Sequence, residues 1–191
     1  MKMIYAALLR GINVGGHNKI NMKLLKGTFE RIGMKQVTTY INSGNIVFAS
    51  DPLPTTELAV QLEQAIAADF GLSIPVLIRS LSEMERIITT LPDEWSNGDI
   101  MKSDVLFLWE EIDDSSVVEQ LPLKVDTATI LYTPGAVLVS IPRELVTRSG
   151  MNKLVGTRLY AAMTIRNVNT TRQIYKLMQA AAQQDPAEDE N

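Results

Sequence analysis

The sequence predicts an α+β protein built from two ferredoxin-like (βαββαβ-type) units, antiparallel sheets with helices packed on them. Two patterns carry that expectation. Over residues 1–80, strand-like apolar runs and stretches of helical period follow one another as β-α-β-β-α-β, and a β-α-β-β order starts again near residue 105. A third observation permits it: 46% hydrophobic residues in a chain of 191 suffice for a substantial core.

The first strand is read at residues 3–9, Met-Ile-Tyr-Ala-Ala-Leu-Leu, apolar on both faces and hence central in its sheet. A glycine-rich loop from Arg10 to Lys19 follows. Asn21 suits a helix N-cap, and Met22, Leu25, Phe29 and Ile32 recur at helical spacing until Gly33. Val37 to Ile41 and Ile46 to Ala49 read as strands of a hairpin turned by Asn42-Ser43-Gly44-Asn45, where Gly44 can take a positive φ. After Pro52 and Pro54, Thr55 or Thr56 opens a helix carrying Leu58, Leu62, Ile66 and Phe70, which Gly71 closes. Ile74 to Ile78 is the fourth strand. The connections predict strand order 4-1-3-2.

Residues 1–80 are thus a first unit, and residues 81–103 a helix and linker. Ser82-x-x-Glu85 has the form of a capping box ahead of Met84, Ile87, Ile88 and Leu91. The second unit, 104–183, offers a strand at Val105 to Trp109, a short helix from Asp113 to Leu121, and a hairpin of Thr129 to Tyr132 and Val137 to Ile141 around Pro134-Gly135. Helical segments follow near 143–163. No fourth strand is legible there. Asn169 or Thr170 is expected to cap a last helix with Ile174, Leu177, Met178 and Ala181 on one stripe, and residues 184–191 read as a disordered acidic tail.

Composition removes several chemistries. There is no cysteine, so disulfides, thiol nucleophiles and thiolate metal sites are absent; the single histidine, His17, supplies no two-histidine metal site and has no Gly-x-Ser-x-Gly elbow beside it. No metal site is therefore expected, and no motif names a cofactor. No apolar run approaches the roughly 20 residues of a membrane span, and the N-terminus lacks the form of a signal peptide. A cytoplasmic location without membrane partners is the expectation; the sequence does not fix an oligomeric state.

The net charge of −4 hides an asymmetry: residues 2–35 and 143–176 each sum to +6, whereas residues 36–142 sum to −12. Should the two basic blocks meet, they would form a positive surface that draws anions. In the expected strand order, the end of strand 1 lies beside the start of strand 3, which brings the Arg10–Lys19 loop and the Asn42–Asn45 turn to one edge. Glycine amides there could face an anion, with Arg10 and Lys19 adding charge. Equally, Gly11, Gly15 and Gly16 could serve only a tight loop held by Asn13 and Asn18. The spacing is neither Gly-x-Gly-x-x-Gly nor a P-loop.

A third polar cluster, Thr164 to Arg172, precedes the last helix. Asn169 and Thr170 are explained by capping, whereas capping does not require Arg166. Asp113 and Asp114 suit a helix N-terminus, and Trp95 and Trp109 read as packing residues. Sheet-face RNA binding of the RNA-recognition type is disfavoured, because both faces of strand 1 look buried, strand 3 offers only Phe48, and the second half is expected to cover the sheet.

The run Ala7-Leu8-Leu9-Arg10-Gly11-Ile12-Asn13-Val14-Gly15-Gly16, with Asn18-Lys19, Met22, Leu25 and Thr39-Tyr40-Ile41-Asn42-Ser43-Gly44-Asn45-Ile46-Val47-Phe48, closely resembles the bacterial domain-of-unknown-function family 1697. The likeness returns at Thr164-Ile165-Arg166-Asn167 and Asn169-Thr170. Val168 stands where that family typically has tryptophan, and His17 where lysine is usual, which sets aside an aromatic role at the one and essential histidine chemistry at the other. The resemblance implies a two-part α+β protein of ferredoxin-like units and supplies no mechanism.

The leading functional expectation is a binding protein for a small phosphorylated or otherwise anionic ligand in a cleft between the halves. Arg10, Asn13, Gly15, Gly16, Asn18 and Lys19 would form one wall, Asn42, Ser43 and Asn45 a second, and Arg166 with Asn167 a third. An enzyme acting on such a ligand through electrostatic or metal-assisted catalysis is the first alternative, and it needs a carboxylate near the loop. A nucleic-acid-binding module on the basic surface is the second, and is not favoured.

Overall fold

The computed structural model describes residues 1–184, and all of the expected 184–191 tail except Gln184 lies outside the described residues. The chain divides into two compact units, one formed by Met1–Met84 with the residues from Ile174 on, the other by Glu85–Gln173. Each contains a four-stranded antiparallel sheet.

In the first unit, β1 (Met3–Leu9) lies between β3 (Asn45–Ser50) and β4 (Val76–Ser80), and β2 (Lys35–Tyr40) pairs with the free side of β3. The order β2-β3-β1-β4 is the predicted 4-1-3-2 read from the other edge. Ile4 through Leu9 are all buried, which is why this strand carries no polar alternation. Tyr5, Ala7 and Leu9 belong to one core with Phe29, Leu58 and Leu62. Within it Tyr5 stacks on Phe48 at 5.7 Å and Phe29 meets Phe48 edge-on at 5.5 Å. Burying each such side chain contributes about 1.5–3 kcal/mol. No aromatic of this core is left on an exposed face for base stacking.

The helices α1 (Met22–Arg31) and α2 (Thr55–Phe70) supply Leu25, Phe29, Leu58, Leu62 and Ile66 to that core. Asn21 caps α1 as expected, its side chain accepting from the amides of Lys23 and Leu24 at 2.9 and 3.1 Å. Asp69 fastens the two helices, accepting from Thr28 Oγ1 and from the Arg31 guanidinium, both at 2.7 Å. The capping box of α3 (Leu81–Thr90) sits two residues earlier than the sequence suggests. Ser80 and Glu83 form it reciprocally, Ser80 N–H donating to Glu83 Oε2 at 2.7 Å and Glu83 N–H to Ser80 Oγ at 3.3 Å. Both serines fit the pattern, and the place where β4 ends decides between them.

The second sheet has order β6-β7-β5-β8. Its strands are β5 (Met101–Leu108), β6 (Thr129–Thr133), β7 (Ala136–Pro142) and β8 (Met163–Asn167). With β5 in the place of β1, the order is the same as in the first sheet, and both units are ferredoxin-like. The strand missing from the sequence reading is therefore β8. From Thr164 on it alternates buried and half-buried residues, and Arg166 and Asn167 conceal it among polar neighbours.

The helical connections of this unit are short: α4 (Val117–Gln120), α5 (Arg158–Ala161) and 3-10 turns at Glu110–Ile112, Arg143–Arg148 and Met151–Gly156. Asp113 does not serve a helix. One of its carboxylate oxygens accepts from Tyr132 Oη and from Gly135 N–H, both at 2.9 Å, and so fixes the β6–β7 turn. The last helix, α6 (Val168–Gln183), starts before the expected caps. Asn167 does the capping, its Oδ1 accepting from Thr170 N–H at 2.8 Å. No helix among the described residues is long and apolar enough to cross a membrane.

Candidate functional site

The loop after β1 is a small β-hairpin. Asn13 N–H donates to Asn18 O at 3.1 Å and His17 N–H to Val14 O at 3.0 Å, so Gly15 and Gly16 form a two-residue turn. Both have positive φ, 57° and 78°, as a turn matched to the twist of its strands requires. Asn13 and Asn18, at φ 53° and 48°, occupy left-handed positions that asparagine tolerates.

Asn13 welds this hairpin to the turn between β2 and β3. Its Nδ2 donates to Asn42 O at 2.8 Å and to Ile20 O at 3.1 Å, while its Oδ1 accepts from Ile20 N–H at 2.8 Å. Leu9 N–H donates to Gly44 O at 2.9 Å, and a Cβ at Gly44 would stand 2.7 Å from that of Leu9. The two segments thus converge at one edge of the sheet, as the strand order predicts.

Between them lies an open groove of about 510 Å³ lined by Asn13, Gly16, Lys19, Ile20, Asn21, Met22 and Asn42. Lys19 is exposed and is in no ion pair among the described residues. Beside the groove, Ile41 is 51% exposed and holds φ at 49°. A β-branched residue there is strained, and such strain collects at functional sites. Sequence reading gave no hint of it, because Ile41 looks like the last residue of an ordinary strand.

The residues named from sequence separate into distinct roles. Gly16, Lys19, Asn13 and Asn42 line the groove, whereas the Asn13 side chain is committed to its own chain. Asn18 Nδ2 is bound to Gly11 O at 3.0 Å. Asn45 is 1% exposed and donates to Tyr40 O and Ser43 Oγ, which makes it a turn lock. Gly15 shapes the turn, and Arg10 is half-buried with its amide on Pro75 O at 3.0 Å.

Arg166 lies on β8 in the second unit, buried, its Nη1 donating to Thr164 Oγ1 and Ile165 O, both at 2.9 Å. Burial lowers its pKa to about 10, so the guanidinium stays charged at neutral pH. Asn167 is engaged in capping α6.

This fold and edge geometry define a class of two-sheet α+β proteins with a loop-built groove. The chain belongs to the family described as "Protein of unknown function (DUF1697)", whose model matches residues 3–138. Among solved structures it is similar to the conserved bacterial protein SP0830 from Streptococcus pneumoniae. The TM-score is 0.79 at 30% identity, over 93% of this chain and 99% of that one. None of the curated proteins matches the chain.

Proposed function

We propose that the first unit binds a small ligand with an anionic group in the groove beside Lys19. Lys19 supplies the charge, the Asn42 amide and the Gly15–Gly16 backbone orient the ligand, and Ile41 and Val14 contact its apolar part. The observation that carries this is an exposed lysine, in no ion pair among the described residues, on a groove whose backbone Asn13 has already fixed. A preorganised loop loses little entropy on binding. The groove lining contains no carboxylate, which favours binding over the enzymatic alternative.

Thermal shift against a panel of phosphorylated and carboxylated metabolites tests the reading. A hit at one hundred times its dissociation constant stabilises by about 2.7 kcal/mol. Lys19→Ala should abolish that shift while leaving the unliganded melting temperature unchanged. Ile41→Asn should raise the unliganded stability by about 0.5–1 kcal/mol by relieving the left-handed strain, and should weaken the hit. A ligand that stabilises wild type and Lys19→Ala equally would place binding elsewhere.

A further inference from the structure

The second unit carries a separate basic pocket of about 500 Å³, where the segment after Leu121 crosses the turn between two 3-10 segments. Lys124, Arg148 and Lys153 line it, with Asp126, Asn152 and Thr127. All three cations are exposed, and among the described residues none is in an ion pair, although Asp126 borders the same pocket. Three cations around one cavity in a chain of net charge −4 repel one another and create a local positive potential.

The backbone beneath them is fixed at several points. Lys124 N–H donates to Ser149 O at 2.8 Å, and Lys124 O accepts from both the amide and the hydroxyl of Thr127, at 3.0 and 2.7 Å. Ser149, wholly buried, donates through Oγ to Val146 O at 2.7 Å and accepts from Met151 N–H at 3.2 Å. Lys153 N–H closes on Gly150 O at 2.9 Å. Gly150 has φ +88°, and a Cβ there would lie 1.9 Å from Pro122 O, so the crossing admits glycine alone.

From this convergence we infer that the pocket is a binding site for a small polyanion with adjacent phosphates, of the di- or triphosphate class. A single phosphate engages one or two of the three cations; a chain of phosphates engages all of them while Asp126 opposes surplus negative charge. The exposed Asn152 side chain adds an amide donor for the phosphate oxygens.

Titration calorimetry with inorganic tripolyphosphate and orthophosphate at low salt, together with amide chemical shifts, tests the site. Tripolyphosphate should bind at least tenfold tighter than orthophosphate and shift the amides of Lys124 and of residues 147–153. Arg148→Ala and Lys124→Ala should each weaken it about tenfold or more. Asp126→Asn should tighten it about threefold, and Lys176→Ala, on α6 and not part of the pocket lining, should change nothing. Equal losses in Lys176→Ala and Arg148→Ala, shifts confined to other residues, or no binding at low salt would overturn the site. A single-stranded oligonucleotide binding more tightly than tripolyphosphate with the same residue dependence would overturn the small-polyanion reading in favour of nucleic acid.

Discussion

The Asn13 side chain donates to Asn42 O at 2.8 Å, joining two loops separated by 29 residues of sequence. Because the same side chain also closes on both the amide and the carbonyl of Ile20, it supplies the three bonds that hold the groove open. Asn13→Gly keeps the left-handed backbone and removes only those bonds. It should cost about 2 kcal/mol in urea unfolding, and ligand affinity should fall with it. A loss below about 0.5 kcal/mol would mean that water replaces the bonds without penalty.

Gly150→Ala is expected to be among the most damaging single-methyl additions in the chain, costing more than about 3 kcal/mol, since both the φ of +88° and the contact with Pro122 O oppose it. Gly98→Ala, where a Cβ meets nothing within 4 Å, should stay within about 0.5 kcal/mol. Thermal denaturation of the two variants compares them directly.

Tyr132 is held up to about 12, by desolvation first and then by its hydrogen bond to Asp113. The folded state therefore keeps this phenol protonated where the unfolded chain, near 10, releases it. The associated stability is complete below pH 10 and is lost as pH rises from 10 towards 12. Absorbance titration of tyrosinate should show a late-titrating component that Tyr132→Phe removes. Asp113→Asn should bring it down only partway, because the desolvation remains.

Acid acts through Asp69, whose pKa lies below the ordinary 3.8 because of its hydrogen bonds from Arg31 and then Thr28. A carboxylate with a lowered folded pKa stabilises above its unfolded value, and that contribution disappears as pH falls below 3.8 through the folded pKa. Arg31→Ala should therefore lower the melting temperature throughout the range above pH 3.8, flatten the acid limb of its pH profile and leave the shape of the alkaline limb unchanged. High salt should shrink the difference, since the Arg31–Asp69 pair is partly exposed.

Much of the first unit could be read directly because hydrophobic period and turn chemistry agree there. Asn21, the apolar stripe of α1 and the double-sided strand β1 each point to one structure. The second unit is less legible. Its helices shrink to single turns, and β8 presents Arg166 and Asn167, whose place in a sheet depends on pairing with Val105 and Asp104 far away in sequence. Of the site, the converging loops follow from strand order alone. The strain at Ile41 and the crossing at Gly150 depend on tertiary contacts, and no local pattern announces them.

The position of β1 also bears on how the chain is made. Its partners are Asn45–Ser50 on one side and Val76–Ser80 on the other, so the first strand of this sheet to be synthesised is fully paired only once the sheet's last strand has been made. At roughly 5–20 residues per second of synthesis, the uncharged run Ile4–Leu9 waits several seconds for its second neighbour. The pairings are all non-local, which slows folding. The residues that make the centre of the sheet are thus also those most exposed to aggregation during translation, and the yield of native protein depends on how well they are shielded in that interval.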